Sequence, residues 1–258
     1  MIFCDSHIHL SHCDLGNEAL RFISENDYSC LCNFCFKEEF ESWEAQKSFQ
    51  TREVTVLRSF GIHPQACSDD FMCDGFSENL SFLEKLLSEK KIAAVGECGF
   101  DFFTPEFRKT SENQEVAWNE QLNLSIKHGK PIVIHIRKAV EKIFSSEKSL
   151  KKIPAVIFHS FPGTLREAEA ILSHGVNAYF SFGKPVLNGK KSAIDCVGNL
   201  PGERLLFETD APYQTLKGEN QTAVSHIARV YEKAAEIRGA KIEELSQKIR
   251  ETFSKIMV

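Results

Sequence analysis

Eight short apolar runs recur along the 258-residue chain, each followed by a segment with helical spacing or by a short loop. Parallel strands need a crossover between them, and a helix is the usual one, so this alternation points to strand–helix units. The expected strands are Ile2–His9, Ser29–Phe36, Val54–Ile62, Ile92–Glu97, Pro131–His135, Ala155–His159, Asn177–Phe182 and Arg204–Asp210. The expected helices are Glu18–Glu25, Lys37–Ser48, Leu80–Lys90, Asn113–His128, Ala139–Ser146, Leu165–His174, a short one within Lys191–Asn199, Val224–Arg238 and Ile242–Ile256. Eight such units in a chain of this length predict the α/β class and a closed (β/α)8 barrel of the TIM type. The competing arrangement is an open doubly wound sheet, but no glycine-rich phosphate fingerprint follows the first strand. With no linker and no low-complexity segment, residues 1–258 are expected to form one domain.

The polar residues fall where such a barrel would gather them. In Asp5-Ser6-His7-Ile8-His9, side chains two apart share a face of the strand, so His7 and His9 point the same way and Ile8 the other. His63 follows strand three, Glu97 strand four, His135 strand five, His159 strand six and Asp210 strand eight. A barrel brings the C-terminal ends of its strands around one mouth. Four histidines and two carboxylates can then hold two divalent ions, because a carboxylate has two oxygens and can bridge. His7 and His9 suit one ion, His135 and His159 the other, and Glu97 is the natural bridge. Asp210 would complete the first set and orient a water, which makes Asp210 and Glu97 the candidate catalytic residues. Mixed nitrogen and oxygen donors suit Zn, Mn, Co or Mg. The plain alternative is a group of buried polar residues that satisfy one another. His128 and His174 instead precede glycines at helix ends, where an imidazolium suits the helix dipole. His226 falls on a terminal helix, and His12 reads as structural or solvent-exposed.

Charge limits the partners. The formal net charge is -5, and the densest basic run, Lys148 to Lys152, holds only three lysines. A protein gripping long duplex DNA through many phosphates would carry a basic stripe, so any contact with nucleic acid should be short and local. The nine cysteines are odd in number and sit largely in apolar runs. No secretory signal precedes them and no run is long enough to span a membrane, which together suggest a reduced, cytoplasmic protein. Cys30, Cys32 and Cys35 have the passing look of a metal cluster, but Ser29–Phe36 reads better as a buried strand packed with small thiols.

Six segments together resemble a known family: Asp5-Ser6-His7-Ile8-His9-Leu10, Gly61-Ile62-His63-Pro64, Gly96-Glu97-Cys98-Gly99-Phe100-Asp101, Ile134-His135-Ile136-Arg137, His159-Ser160-Phe161-Pro162-Gly163 and Glu208-Thr209-Asp210-Ala211-Pro212-Tyr213. In their order and spacing the chain is similar to TatD-type metal-dependent deoxyribonucleases, within the amidohydrolase-like barrels. The resemblance implies that His7, His9, Glu97 and Asp210 hold one metal, and Glu97, His135 and His159 the second. It implies hydrolysis of DNA phosphodiesters, typically from the 3′ end of short single strands, with His63 facing a phosphate. Arg137 is a candidate phosphate ligand, since guanidinium matches phosphate geometry, or else a salt bridge at the rim. Asp101 is expected to orient a neighbour, and Tyr213 or Phe102 to stack on a base or to pack. No membrane and no obligate protein partner are expected.

The chain departs from the family pattern at Lys138, where an aspartate is usual, at Ser160 and Pro162, at Cys98 and Phe100, and across Glu219-Asn220-Gln221-Thr222. These changes touch substrate contacts and leave the ligand set intact. Two other readings compete: an amidohydrolase or small phosphoesterase on the same barrel, and a non-catalytic binding protein. Many related amide-cleaving barrels bridge their metals through a strand-four lysine; here strand four ends in Glu97, and Lys90 and Lys91 precede it.

Overall fold

The computed structural model of the protein describes residues 1–45 and 54–257. Eight strands form one sheet: β1 (Ile2–Ile8), β2 (Asp27–Phe34), β3 (Val54–Phe60), β4 (Ala94–Asp101), β5 (Ile132–Arg137), β6 (Val156–Phe158), β7 (Ala178–Phe182) and β8 (Leu205–Phe207). Each pairs in parallel with the next in chain order. His9 N–H donates to Ala211 O at 2.8 Å and Asp210 N–H to His7 O at 3.0 Å, so the segment after β8 lies against the end of β1 and closes the ring. Helices cover the outside, which is why β5, β6, β7 and β8 are apolar and buried along most of their length.

The seam between β1 and β8 is completed by a side chain. Cys4 N–H donates to the Tyr231 hydroxyl at 3.1 Å, and that hydroxyl donates back to Cys4 O at 3.0 Å. Tyr231 lies on the helix His226–Arg238 and is fully buried, with its ring against Phe3 and Phe207. Tyr231→Phe keeps the ring and strands two backbone groups out of reach of water. It is expected to cost about 1–3 kcal/mol, read as a lower denaturant midpoint at unchanged slope. No change in midpoint would mean that water satisfies the seam instead.

The helix Ser111–His128 positions two strand ends with two glutamines seven residues apart on its inner face. Gln121 Oε1 accepts from Ile62 N at 2.7 Å and its Nε2 donates to Ile62 O at 3.1 Å, which fixes the backbone beside His63. Gln114 does the same for Asp101, accepting from its N–H at 2.9 Å and donating to its carbonyl at 3.1 Å. Apolar periodicity gave no signal for these buried amides.

Strand boundaries differ from the sequence expectation in one place that matters. β4 runs on past Glu97 to Asp101, and its register against β5 shifts between Val95 and Cys98. Gly96 (φ 122°) and Gly99 (φ 139°) allow this: a Cβ on either would lie 2.4 Å from Val133 O or 2.2 Å from His135 O. Glu97 therefore projects from within a bulged strand rather than from its end. Two short helices, Asp69–Asp74 and Pro105–Lys109, were not expected, being too brief for a periodic signal. The expected helix Ala139–Ser146 begins later, at Glu141, and a second short one, Glu147–Leu150, follows it. The second expected helix is described over Lys37–Ala45, and its remainder lies outside the described residues. Among the described residues no helix is long and apolar enough to cross a membrane.

Candidate metal centre

The polar strand-end residues meet at one end of the barrel. His9, His63, Glu97, His135, His159 and Asp210 line a cavity of about 760 Å³, with His7 buried beneath them. His135 comes from within β5, and the others sit one to three residues beyond their strands, apart from His7 and Glu97 within β1 and β4. Asp210 adopts a left-handed backbone (φ 56°), as does Ser160 (φ 41°), so the chain bends sharply where it leaves β8 and β6. Arg137 closes β5 at the rim of the same cavity.

Glu97 stands at the centre. Its Oε2 lies 3.1 Å from His7 Nε2 and 3.9 Å from His9 Nε2. Its Oε1 lies 2.6 Å from His135 Nδ1, 3.4 Å from His63 Nε2 and 3.7 Å from His159 Nε2. Asp210 Oδ1 is 3.6 Å from both His7 Nε2 and His9 Nε2, and its Oδ2 is 3.8 Å from His159 Nε2. Three groups bring donor atoms within 4.8 Å of one another: His7, His9 and Glu97; His7, His159 and Asp210; and His63, Glu97 and His135. The sequence pairing of His135 with His159 is thus looser than expected. His159 stacks on His7 at 3.6 Å between ring centroids, while His63 sits beside His135 at 3.3 Å between ring nitrogens. No cysteine joins any of the three groups, and Cys30 and Cys32 are buried in β2 as packing residues.

The donor set fits divalent ions. His7 Nε2 and His9 Nε2 point at each other across 3.2 Å and at two carboxylates, a crowding of lone pairs that a cation would resolve. The far sides of two rings face further carboxylates, as those of ligating histidines usually do. Asp101 Oδ2 lies 3.2 Å from His135 Nε2 and accepts from Gln65 Nε2 at 2.7 Å. Glu208 Oε1 lies 3.1 Å from His159 Nδ1 and accepts from Ser160 N–H at 2.8 Å. Behind β1, buried Asp5 accepts from Thr209 N–H at 3.0 Å and from Thr209 Oγ1 at 2.6 Å, which ties β1 to the Asp210 segment.

Burial and neighbouring charges shift these groups in different directions. Burial holds His9, His63 and His159 below the usual imidazole range, so their nitrogens keep free lone pairs. Burial would also lower His135, but Asp101 and Glu97 outweigh it and push the ring up to about 9. Burial would raise Glu97, yet His7, His159 and His63 hold it well below the carboxylate range. Asp210 is raised by burial, and burial lifts Glu208 to about 7.

The family model described as TatD related DNase matches residues 4–257. The chain belongs to the TatD related DNase family. A Pantoea ananatis protein named 3'-5' ssDNA/RNA exonuclease TatD is 28% identical over 224 residues, 84% of this chain and 83% of its own length. A Bacillus subtilis protein, named an uncharacterized metal-dependent hydrolase YabD, is 29% identical over 197 residues, 74% of this chain and 73% of its own. The crystal structure of YJJV, a TatD homologue of Escherichia coli K12, matches the fold with a TM-score of 0.83 at 24% identity, covering 99% of this chain and 97% of the other.

Against that TatD background, the departures in this chain acquire places. Lys138 and Arg137 both sit over the exposed Phe103 ring, at 4.7 Å and 3.9 Å from its centroid. Ser160 Oγ donates to Gln214 Oε1 at 3.3 Å across the mouth, and Pro162 lines the cavity. Glu219 anchors the loop after β8 from outside the cavity: it takes the buried Lys184, accepts from Leu216 N–H at 2.9 Å and from Arg229 at 3.1 Å. Lys184 Nζ also donates to His226 Nδ1 at 2.9 Å, which gives that histidine a structural partner. Phe102 is buried at 8% exposure, so of the two aromatics named from the sequence only Tyr213 faces the cavity. His12, expected to be structural or exposed, lines the cavity beside Tyr213. Glu208 was given no role from the sequence: it lies two positions before Asp210, but both are beyond β8 and Asp210 turns at φ 56°, so strand alternation does not relate them.

Proposed function

We propose that this chain is a metal-dependent hydrolase of phosphodiester bonds that releases nucleotides from the 3′ ends of short single-stranded nucleic acid, DNA foremost. In this reading His7, His9, Glu97 and Asp210 hold one divalent ion, and Glu97, His135 and His159 a second. The observation that carries it is the Glu97 carboxylate, whose two oxygens face different histidines. The names of the TatD relatives point to the same substrate class. The net charge of -5 suits an enzyme that handles only terminal phosphates.

Divalent ions in such a site supply positive charge to the phosphoryl oxygens and make water more acidic. The residues of the chain do the rest. Asp210, at the cavity beside His7 and His9, takes the proton of the attacking water. His63, open to the cavity beside His135, donates to a phosphate oxygen. Arg137, its guanidinium carbon 3.9 Å from the centre of the Phe103 ring, presents paired donors to the next phosphate. Asp101 and Glu208 hold His135 and His159 in one ring orientation.

Asp101→Asn therefore leaves every direct donor in place but loosens His135. Metal affinity or turnover is expected to fall roughly 10–100-fold, measured by metal titration and initial rates. Wild-type values for both would remove Asp101 from the machinery. The test of the function itself is to strip the protein of metal and add back Mg, Mn, Co and Zn separately. Metal-dependent release of mononucleotides from a 3′ end supports the reading and names a working ion. Binding of metal without release from any strand would move the assignment to another substrate or to a silent binding protein.

A further inference from the structure

Tyr213 stands at the mouth of the cavity with 48% of its surface exposed, yet it is held from several sides. Its hydroxyl meets His12 Nδ1 at 2.8 Å, and its backbone N–H donates to Asp210 O at 2.7 Å. Its ring packs edge-on against His9, at 5.2 Å between centroids and 78° between planes. His12 is itself held: its Nε2 lies 3.2 Å from Glu39 Oε1, and its ring lies parallel to His9 at 5.8 Å. Glu39 is fixed in turn by Ser11 Oγ at 2.6 Å and Cys35 N–H at 3.1 Å. A chain of three side chains from three separate segments thus sets one aromatic ring in place beside the Glu97–Asp210 cluster.

Fixing an exposed side chain costs conformational entropy that packing alone does not return when nearly half the residue stays open. A ring fixed before ligand arrives is what a stacking surface requires. We propose that Tyr213 is the platform on which the base of the terminal nucleotide stacks, and that His12 and Glu39 are positioning residues for that ring. The proposal rests on the nuclease reading above. With the scissile phosphate at the Glu97–Asp210 cluster, the base it carries lies one sugar away, within reach of a ring that touches His9. Every base offers a π-face, so the platform tolerates any sequence, as an enzyme that trims strands base by base must. It also supplies the short, local affinity that a chain lacking a basic stripe needs.

The experiment compares single-stranded oligonucleotides that end in a normal 3′ nucleotide or in an abasic one, cleaved by the metal-loaded wild type, Tyr213→Leu and Tyr213→Phe. The wild type is expected to favour the normal end by about tenfold in kcat/KM, the size of one base–aromatic stack. Tyr213→Leu is expected to bring that ratio near one, whereas Tyr213→Phe, which keeps the ring but loses the bond to His12, is expected to retain part of it. His12→Ala, which frees the ring, is expected to fall between, with the loss confined to base-bearing ends. An unchanged ratio in Tyr213→Leu, with a wild type that cleaves, would overturn the platform and leave the nuclease reading intact. A wild type that cleaves neither oligonucleotide would overturn both. Because Tyr213 is half exposed, the leucine variant is expected to keep the buried core, and thermal melting checks that its fold is retained.

Discussion

Replacing Glu97 with glutamine is expected to abolish hydrolysis while leaving the barrel folded. The glutamine keeps the shape of the side chain but loses the charge that faces His7 on one side and His135 on the other. Removing a partner behind a ligand costs roughly 10–100-fold. Losing a shared carboxylate should exceed that, with turnover down by at least about 10³-fold, comparable to losing a main electrostatic element of an active site. Metal content, measured on the purified variant, is expected to drop with it. His128→Ala, on a helix end far from the cluster, serves as the comparison and is expected to keep wild-type turnover. Equal loss in both variants would sink the bridge assignment, because the effect would then follow from general disruption.

Asp210→Asn is expected to have the second largest effect, and a different one. Asp210 sits at φ 56°, a left-handed conformation that asparagine tolerates nearly as well as aspartate, so the backbone should not move. Its N–H would still donate to His7 O and keep the ring closed. What is lost is the carboxylate proposed both to help hold an ion and to take a proton from water. Proton transfer by a placed group contributes typically about 10²–10⁴-fold, and kcat is expected to fall within that range. KM should change far less, because Arg137 and His63 remain to hold the phosphates. A variant with unchanged kcat and raised KM would show that Asp210 binds substrate and moves no proton.

How much of this was written in the chain differs from residue to residue. His7 and His9 were legible because a strand has a strict period of two, and both ends of that argument lie within five residues. The barrel was legible because eight apolar runs with crossovers leave few other ways to cover a parallel sheet. Glu97 was found, but its setting was not. The bulge that aims it depends on how closely Gly96 and Gly99 approach the β5 backbone, and a single sequence carries no mark of that approach. Glu208 stood only within the Glu208-to-Tyr213 segment and no role was read from it; it and Asp210 lie beyond β8, where a period of two no longer holds. His12 is partly exposed and hydrogen-bonded, as expected, but its place at the cavity was not legible, because its partners Glu39 and Tyr213 lie 27 and 201 positions away. Buried amides such as Gln114 and Gln121 left no trace at all, since a polar residue on a helix reads as solvent-facing until its partner is known.

The sequence by itself determined the class of fold, the end of the barrel where these polar residues gather and the residue types available there. Those follow from local periodicity and from donor chemistry, both properties of short segments. Only the tertiary structure decided which nitrogen faces which oxygen, that His159 leans on His7 while His63 joins His135, and which aromatic stays open to the cavity. These depend on ångström-scale distances between segments far apart in the chain, and such distances exist only once the ring has closed and the helices have fixed the ends of the strands.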